Sequence, residues 1–199
     1  MLFLLSILLF HDSLSFYLWP AGDVDNDNEV ELYCFDTIGL KILKKKSLTL
    51  LFSIKRPSNF KGMYYGGLIV DKENNISYFI VSYFLNISDN YCFWEVRSGK
   101  TNEVIFKSPP YSVKKLFAYT IESKPFFIYV DCLKENGETF CELWRFYPKN
   151  KEFKKIETLP KAVYFFNIDI FYRAKILGSL HEKPFLIYYE RNRSVLKLK

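Results

Sequence analysis

Apolar and polar positions alternate along most of the chain, in short runs broken by clusters of Gly, Pro, Asn, Asp and Ser. Alternation with a period of two marks strands that bury one face. The runs predict strands at Val30–Phe35, Leu48–Ile54, Tyr64–Val70, Ile76–Phe84, Tyr91–Val96 and Val104–Phe106. Further strands are expected at Val113–Thr120, Phe126–Cys132, Phe140–Phe146, Val163–Asp169, Phe171–Leu177 and Pro184–Glu190. Turn signals stand between them, among them Lys72 to Asn75, Ser98-Gly99, Pro109-Pro110 and Asn136-Gly137. No long stretch carries a helical period, and a short helix is expected only near Ser179–His181. Regular short strands with frequent turns predict an all-β fold.

The sharpest local signal is CLKENGETFCELW, Cys132 to Trp144. Asn-Gly between two strand-like runs predicts a two-residue type I′ hairpin, because that turn needs positive φ at both central residues. In that register Cys132 opposes Cys141, Asp131 opposes Glu142 and Tyr129 opposes Trp144. The cysteine pair falls on a non-hydrogen-bonded rung, where Cα atoms are about 4.5 Å apart, at the short end of the disulfide range. Four cysteines allow three connectivities. Local geometry favours Cys132–Cys141, which leaves Cys34 with Cys92.

Two longer stretches resemble each other: Tyr78 to Pro110 and Phe126 to Pro160. Phe79-Ile80-Val81 aligns with Phe127-Ile128-Tyr129, Cys92 with Cys141 and Trp94 with Trp144. A partial echo precedes them at Val30 to Leu43, and another follows at Lys183 to Tyr189. A period of about 50 residues is the signature of a repeat architecture. Leu143 to Pro160 resembles the outer hairpin of a Kelch-type or F-box-associated propeller blade, with Phe153 in the place of the usual Trp. The family's Gly-Gly pair occurs at Gly66-Gly67. Phe93-Trp94-Glu95 and Phe153-Lys154-Lys155 are similar to the FAINT repeats of secreted parasite proteins. The resemblance to propeller blades implies an array of antiparallel β-meanders. Two full and two partial units leave three arrangements, a small propeller, an open array or a β-sandwich, with an incomplete chain as a further reading.

The first residues change the expected compartment. Leu2 to Phe10 is a nine-residue, largely apolar run, too short to span a bilayer, and Ser13-Leu14-Ser15 supplies small residues for cleavage. Residues 1–15 are therefore expected to be a signal peptide, 16–29 an acidic segment and 30–199 one β-rich repeat domain. The predicted product is secreted and does not span a membrane. Sequons at Asn75, Asn86 and Asn192 fit that route as glycosylation sites. The net charge of +6 becomes +7 once the leader, with its single Asp12, is removed. The basic residues are dispersed, so nucleic acid is not an expected partner. The aromatic share of 19% is high enough that most rings must lie in a core, with some left to form a recognition surface.

Catalytic chemistry finds little support. The mature chain has a single histidine, His181, and contains no Gly-x-Ser-x-Gly elbow, His-Glu-x-x-His, Walker loop or Gly-x-Gly-x-x-Gly. No Cys-x-x-Cys pair suggests zinc. Asp23, Asp25 and Asp27 have the spacing of a calcium loop, but Asn28 occupies the glycine position and Cys34 the twelfth, so no metal is assigned. Asp131 and Glu142 are the one carboxylate pair that could serve a carbohydrate-active hydrolase. The sequence thus predicts a binding protein without cofactor or catalytic residues, recognising another protein or a cell-surface glycan. The alternatives are that hydrolase, or an intracellular Kelch-like adaptor if the leader is not a signal.

Overall fold

The computed structural model describes residues 18–86, 91–121 and 124–160, together with the backbone of two short strands near the C-terminus. Three four-stranded antiparallel sheets follow one another along the chain, each a simple meander. Sheet 1 comprises β1 (Trp19–Gly22), β2 (Glu31–Phe35), β3 (Gly39–Leu43) and β4 (Leu50–Lys55). Sheet 2 comprises β5 (Phe60–Asp71), β6 (Ile76–Asn86), β7 (Phe93–Ser98) and β8 (Val104–Lys107). Sheet 3 comprises β9 (Lys115–Ile121), β10 (Lys124–Leu133), β11 (Thr139–Tyr147) and β12 (Glu152–Leu159). A hairpin of β13 (Leu186–Glu190) and β14 (Arg193–Lys197) stands apart. Helix is confined, among the described residues, to one 3₁₀ turn at Pro148–Asn150.

The strands form where the alternation predicts, and the added ones have local causes. Asp36 closes the β2–β3 turn by accepting hydrogen bonds from the N–H groups of Ile38 and Gly39, both at 2.8 Å. β12 escapes the pattern because Phe153 is its one buried residue and four of the other seven are lysine or glutamate. Such charge is how an edge strand avoids pairing with another chain. The acidic run is not a separate segment: it is the loop between β1 and β2, which pair with each other. The expected strands at Val163–Asp169 and Phe171–Leu177, the helix near His181 and the leader lie outside the described residues.

The sheets stack face to face through two apolar cores. Leu40, Ile42 and Ile54 of sheet 1 meet Met63, Tyr65, Phe79, Val81, Tyr83 and Phe93 of sheet 2. Tyr33 stacks on Tyr65 with ring centroids 4.5 Å apart. The opposite face of sheet 2, with Ile80, Trp94 and Val96, meets Ile128, Val130, Trp144 and Phe146 of sheet 3. Phe153 packs there too, stacked on Phe146 at 4.6 Å. Where sheets 2 and 3 approach most closely, the pair Gly66-Gly67 forms a bulge in β5, and Gly67 adopts φ +92°. A Cβ on Gly66 would collide with the Ala118 carbonyl of β9. The Ser82 hydroxyl accepts from the Ala118 N–H at 2.9 Å, and the Thr120 hydroxyl donates to the Leu68 carbonyl at 3.0 Å.

The hairpin register differs from the expected one. Phe127 pairs with Arg145, Val130 with Glu142, Asp131 with Cys141 and Cys132 with Phe140. The loop has three residues, Glu135-Asn136-Gly137: the Gly137 N–H donates to the Lys134 carbonyl, and Gly137 itself takes φ +85°. This is a type I turn followed by a left-handed glycine, the other turn that Asn-Gly supports. The slip of one residue sends every side chain of one strand to the other face relative to its partner. Cys132 therefore faces sheet 2, and Cys141 faces away from it. All four cysteines are buried and none is in a disulfide. Cys34 lies on the face of β2 turned away from sheet 2, whereas Cys92 sits in the core between sheets 2 and 3. Both expected disulfides, Cys132–Cys141 and Cys34–Cys92, are thus corrected to separate thiols.

The repeat is corrected in the same way. Phe79, Val81 and Tyr83 face the preceding sheet, as do Ile128, Val130 and Cys132, 49 residues later (79 to 128). Equivalent places in the stack are an odd number of residues apart, so an even offset exchanges faces. Trp94 and Trp144 are 50 apart, and they are contact partners rather than equivalents. They meet edge to face, centroids 5.5 Å apart and planes at 80°.

Candidate functional site

The most concentrated chemistry among the described residues is the β1–β2 loop, Asp23 to Glu31. Asp23 organises it: its two carboxylate oxygens accept from the N–H groups of Asp27 and Asn28, each at 3.0 Å. Asp27 accepts from the Glu29 N–H at 2.9 Å. Asn26 and Asn28 turn the chain with φ of 59° and 67°, a region that Asn tolerates better than other side-chain-bearing residues. Val24 is fully buried and acts as the plug. Its carbonyl accepts from the Ser77 hydroxyl of β6, and it leaves no room for a side chain at Gly99 of the β7–β8 turn. The loop is therefore fixed to sheet 2.

This folding gathers carboxylates. Oxygens of Asp23, Asp25 and Asp27 all lie within 4.8 Å of one another. Glu31, at the start of β2, is wholly buried. Its Oε2 accepts from the Val24 N–H at 2.7 Å, while its Oε1 and the Asp25 Oδ1 are buried without a hydrogen-bond donor. Lys44, at the end of β3, reaches across. Its Nζ lies 2.6 Å from Asp25 Oδ2, in contact with Asp27 and 3.4 Å from Glu31 Oε1. Lys46 pairs with Glu29. Desolvation pushes the Glu31 carboxyl up despite the Val24 N–H. The hydrogen bond from Lys44 holds Asp27 down. Desolvation opposes the charge on Lys44, but hydrogen bonds to Asp25 and Asp27 outweigh it and raise its pKa. Asp23, Asp25 and Asp27 are the residues able to hold a cation. The sequence showed the three aspartates but neither Glu31 nor Lys44, which strand pairing brings to the loop.

The carboxylates of the β10–β11 hairpin are not a pair. Asp131 is fully buried and faces away from sheet 2 beside Cys141, with the Tyr119 hydroxyl 3.5 Å away. Glu142 is on the opposite face, accepting from the Tyr111 hydroxyl at 2.7 Å, the Trp144 indole at 2.9 Å and Lys155 at 3.1 Å. Its oxygens are committed to holding sheet 3 together. The sequons also separate. Asn75 is exposed in the β5–β6 turn, whereas Asn86 is 5% exposed at the end of β6. Asn192 and His181 lie outside the described residues.

A second surface stands on the face of sheet 3 turned away from sheet 2. The Arg145 guanidinium lies over the rings of Phe127 at 5.4 Å and Tyr147 at 5.0 Å, and Lys154 lies over Tyr147 at 5.7 Å. Both cations are exposed and both rings half-buried. Register explains the strip: Phe127, Arg145 and Lys154 are neighbours across β10, β11 and β12. No protein-family model matches the chain, and comparison with curated proteins and solved structures found no match either. No helix among the described residues is long and apolar enough to cross a membrane.

Proposed function

We propose that the chain is a secreted, non-catalytic recognition protein, built as a propeller-like stack of β-meanders, that binds another protein or a glycan-bearing surface. The observation that carries this reading is the Phe127–Arg145–Tyr147–Lys154 strip. Half-exposed aromatic rings capped by arginine and lysine combine the residue types that dominate binding energy at recognition surfaces. The support beneath them is rigid, because the same strands bury Ile128, Trp144, Phe146 and Phe153 on the other side. A binding surface held on a packed sheet loses little entropy on association. The meander order of each sheet and the sequential stacking suit a propeller, and the apolar leader and the sequon at Asn75 suit export.

The test uses the full chain expressed in a secreting eukaryotic cell. Intact mass reports whether residues 1–15 are removed. Labelled protein is then titrated onto intact cells and a glycan array. Saturable binding that falls about tenfold or more in Arg145→Glu with Tyr147→Ala is the expected result, as for the centre of an interface. Retention of the leader ends the secretory half of the proposal. Absence of saturable binding, or binding indifferent to those substitutions, ends the recognition half.

A further inference from the structure

We propose that the strip on the outer face of sheet 3 binds an acidic polysaccharide, and that Arg145 is the residue that reads its anionic groups. This names the partner of the recognition surface and rests on that reading. The arginines whose side chains are described differ in what they hold. Arg56 donates to the carbonyls of Lys61 at 2.9 Å and Thr37 at 3.3 Å. Arg97 donates to the Glu95 carboxylate at 2.6 Å, and to the carbonyl and side chain of Asn102 at 2.8 Å and 3.1 Å. Arg145 makes neither a hydrogen bond nor an ion pair among the described residues; the rings of Phe127, at 5.4 Å, and Tyr147, at 5.0 Å, hold it. Its planar fork of N–H donors is exposed and uncommitted. Two rings already fix the guanidinium, so little rotamer freedom is lost when an anion arrives. Such a fork matches a carboxylate or a tetrahedral oxyanion by paired hydrogen bonds.

The hairpin around Arg145 adds positive charge. Lys154 is its cross-strand neighbour, and Lys149 and Lys151 are exposed on the turn that joins β11 to β12. That turn is fixed by its 3₁₀ geometry, with the Lys151 N–H donating to the Pro148 carbonyl at 3.2 Å. Two carboxylates share this side of the hairpin. Glu152, opposite Tyr147, meets Lys154 at 3.1 Å in an exposed pair of little strength. Glu157, opposite Leu143, lies further from the turn. Lys155 belongs to the other face, where it pairs with Glu142. Arg145, Lys149, Lys151 and Lys154 against Glu152 and Glu157 leave an excess of two positive charges, four minus two, around an uncommitted guanidinium. A polymer of repeated anions is attracted by all of them together. A peptide is less well served. Cations already lie over Phe127 and Tyr147, so little ring face remains for the apolar side chains that anchor a protein partner. What the strip offers is charge and N–H donors, which the sulfate or carboxylate groups of a sugar chain use directly.

The experiment titrates the full chain with heparin, which carries sulfate and carboxylate, with hyaluronan, which carries carboxylate alone, and with neutral dextran and poly-L-glutamate. Saturable binding to heparin that weakens as NaCl is raised is expected, with none to dextran and binding to polyglutamate weaker by about tenfold or more. Hyaluronan matching heparin would identify carboxylate as the group read, and heparin alone would identify sulfate; each upholds the proposal. Arg145→Lys keeps the charge and loses the fork, and is expected to weaken heparin binding about fivefold or more. Lys149→Gln with Lys151→Gln should cost about as much and make the salt dependence shallower. Lys45→Gln with Lys100→Gln removes two equal charges from exposed positions after β3 and β7, and should leave binding within about twofold. All these side chains are exposed, so circular dichroism should match wild type in every variant. If Arg145→Lys binds as wild type does, or the Lys45 and Lys100 pair costs as much as the Lys149 and Lys151 pair, the attraction is net charge alone and the proposal is overturned. No binding to heparin or hyaluronan, or equally tight binding to polyglutamate, overturns it as well. Binding to cells that Arg145→Glu still abolishes would then leave the recognition surface standing with a protein partner, whereas loss of cell binding too would end both readings.

Discussion

Replacing Trp94 and Trp144 singly and together measures whether the two rings are partners across the sheet 2–sheet 3 core or separate members of a repeat. Trp94 is fully buried and Trp144 is 9% exposed, so each Trp→Leu change leaves a void on one side of that core. Full truncation of a buried aromatic costs about 3–5 kcal/mol; leucine retains much of the volume, so each single change is expected to cost about 2–3 kcal/mol. An edge-to-face pair adds about 0.5–1.5 kcal/mol beyond area burial. That increment is lost in either single variant and cannot be lost twice. The double variant should therefore be less destabilised than the sum by about 0.5–1.5 kcal/mol. Phe106 touches both rings, at 5.0 Å and 5.7 Å, and its relaxation adds to the coupling with the same sign. The assay is urea unfolding followed by far-UV circular dichroism, which does not depend on the deleted fluorophores. Trp94 with Tyr33 is the control pair, because Tyr33 packs in the other core. That cycle should close within about 0.3–0.5 kcal/mol. A Trp94–Trp144 coupling no larger than the control would refute the face assignment, and with it the odd spacing of equivalent positions.

Three further results are expected. Gly66→Ala should destabilise the fold by about 1–3 kcal/mol in the same unfolding assay, because its Cβ meets a backbone carbonyl that cannot rotate away. The thiols of Cys132 and Cys141 are pushed up from 9.0, first by burial and then by Glu142 and Asp131 near Cys132 and by Asp131 near Cys141. No thiol should react with a disulfide reagent at pH 8 in the native state, and all four should react in denaturant; fewer in denaturant would mean a disulfide. For Asp36, desolvation acts upward, but the Lys41 ammonium and the Gly39 and Ile38 N–H groups hold its carboxyl below 3.8. Its contribution is present above pH 3.8 and is lost as the pH falls through the lower native value. Asp36→Asn should flatten that acid limb of the stability curve, and an unchanged limb would contradict the assignment.

Strand existence was legible where one face is buried and the pattern alternates, as in β11, and where an apolar run marks burial on both faces, as in β6. β12 was hidden by its edge position, which leaves one buried residue in eight, and β3 by the lysine run that follows it. The hairpin register was lost to a choice between two turns that Asn-Gly serves equally well, and only packing on sheet 2 selects between them. That single residue decided the cysteines and the carboxylates together. In the acidic loop the aspartates were visible from spacing, whereas Glu31 and Lys44 belong to the site through strand pairing and burial, which no local pattern encodes.

Among the described residues, sheet 2 carries an apolar core on each face, Phe79 and Val81 on one side and Ile80 and Trp94 on the other. Its central strand β6 is also paired along both edges, by β5 and β7. Amide exchange should therefore be graded along the chain. The N–H groups of residues 79 to 82 should open only with global unfolding, while those of β4, β8 and β12, at the rims, exchange through local fraying. Loss of β6 order dissolves both described cores at once. The slowest-exchanging amides thus mark the point at which the protein ceases to be a stack of sheets and becomes an unfolded chain.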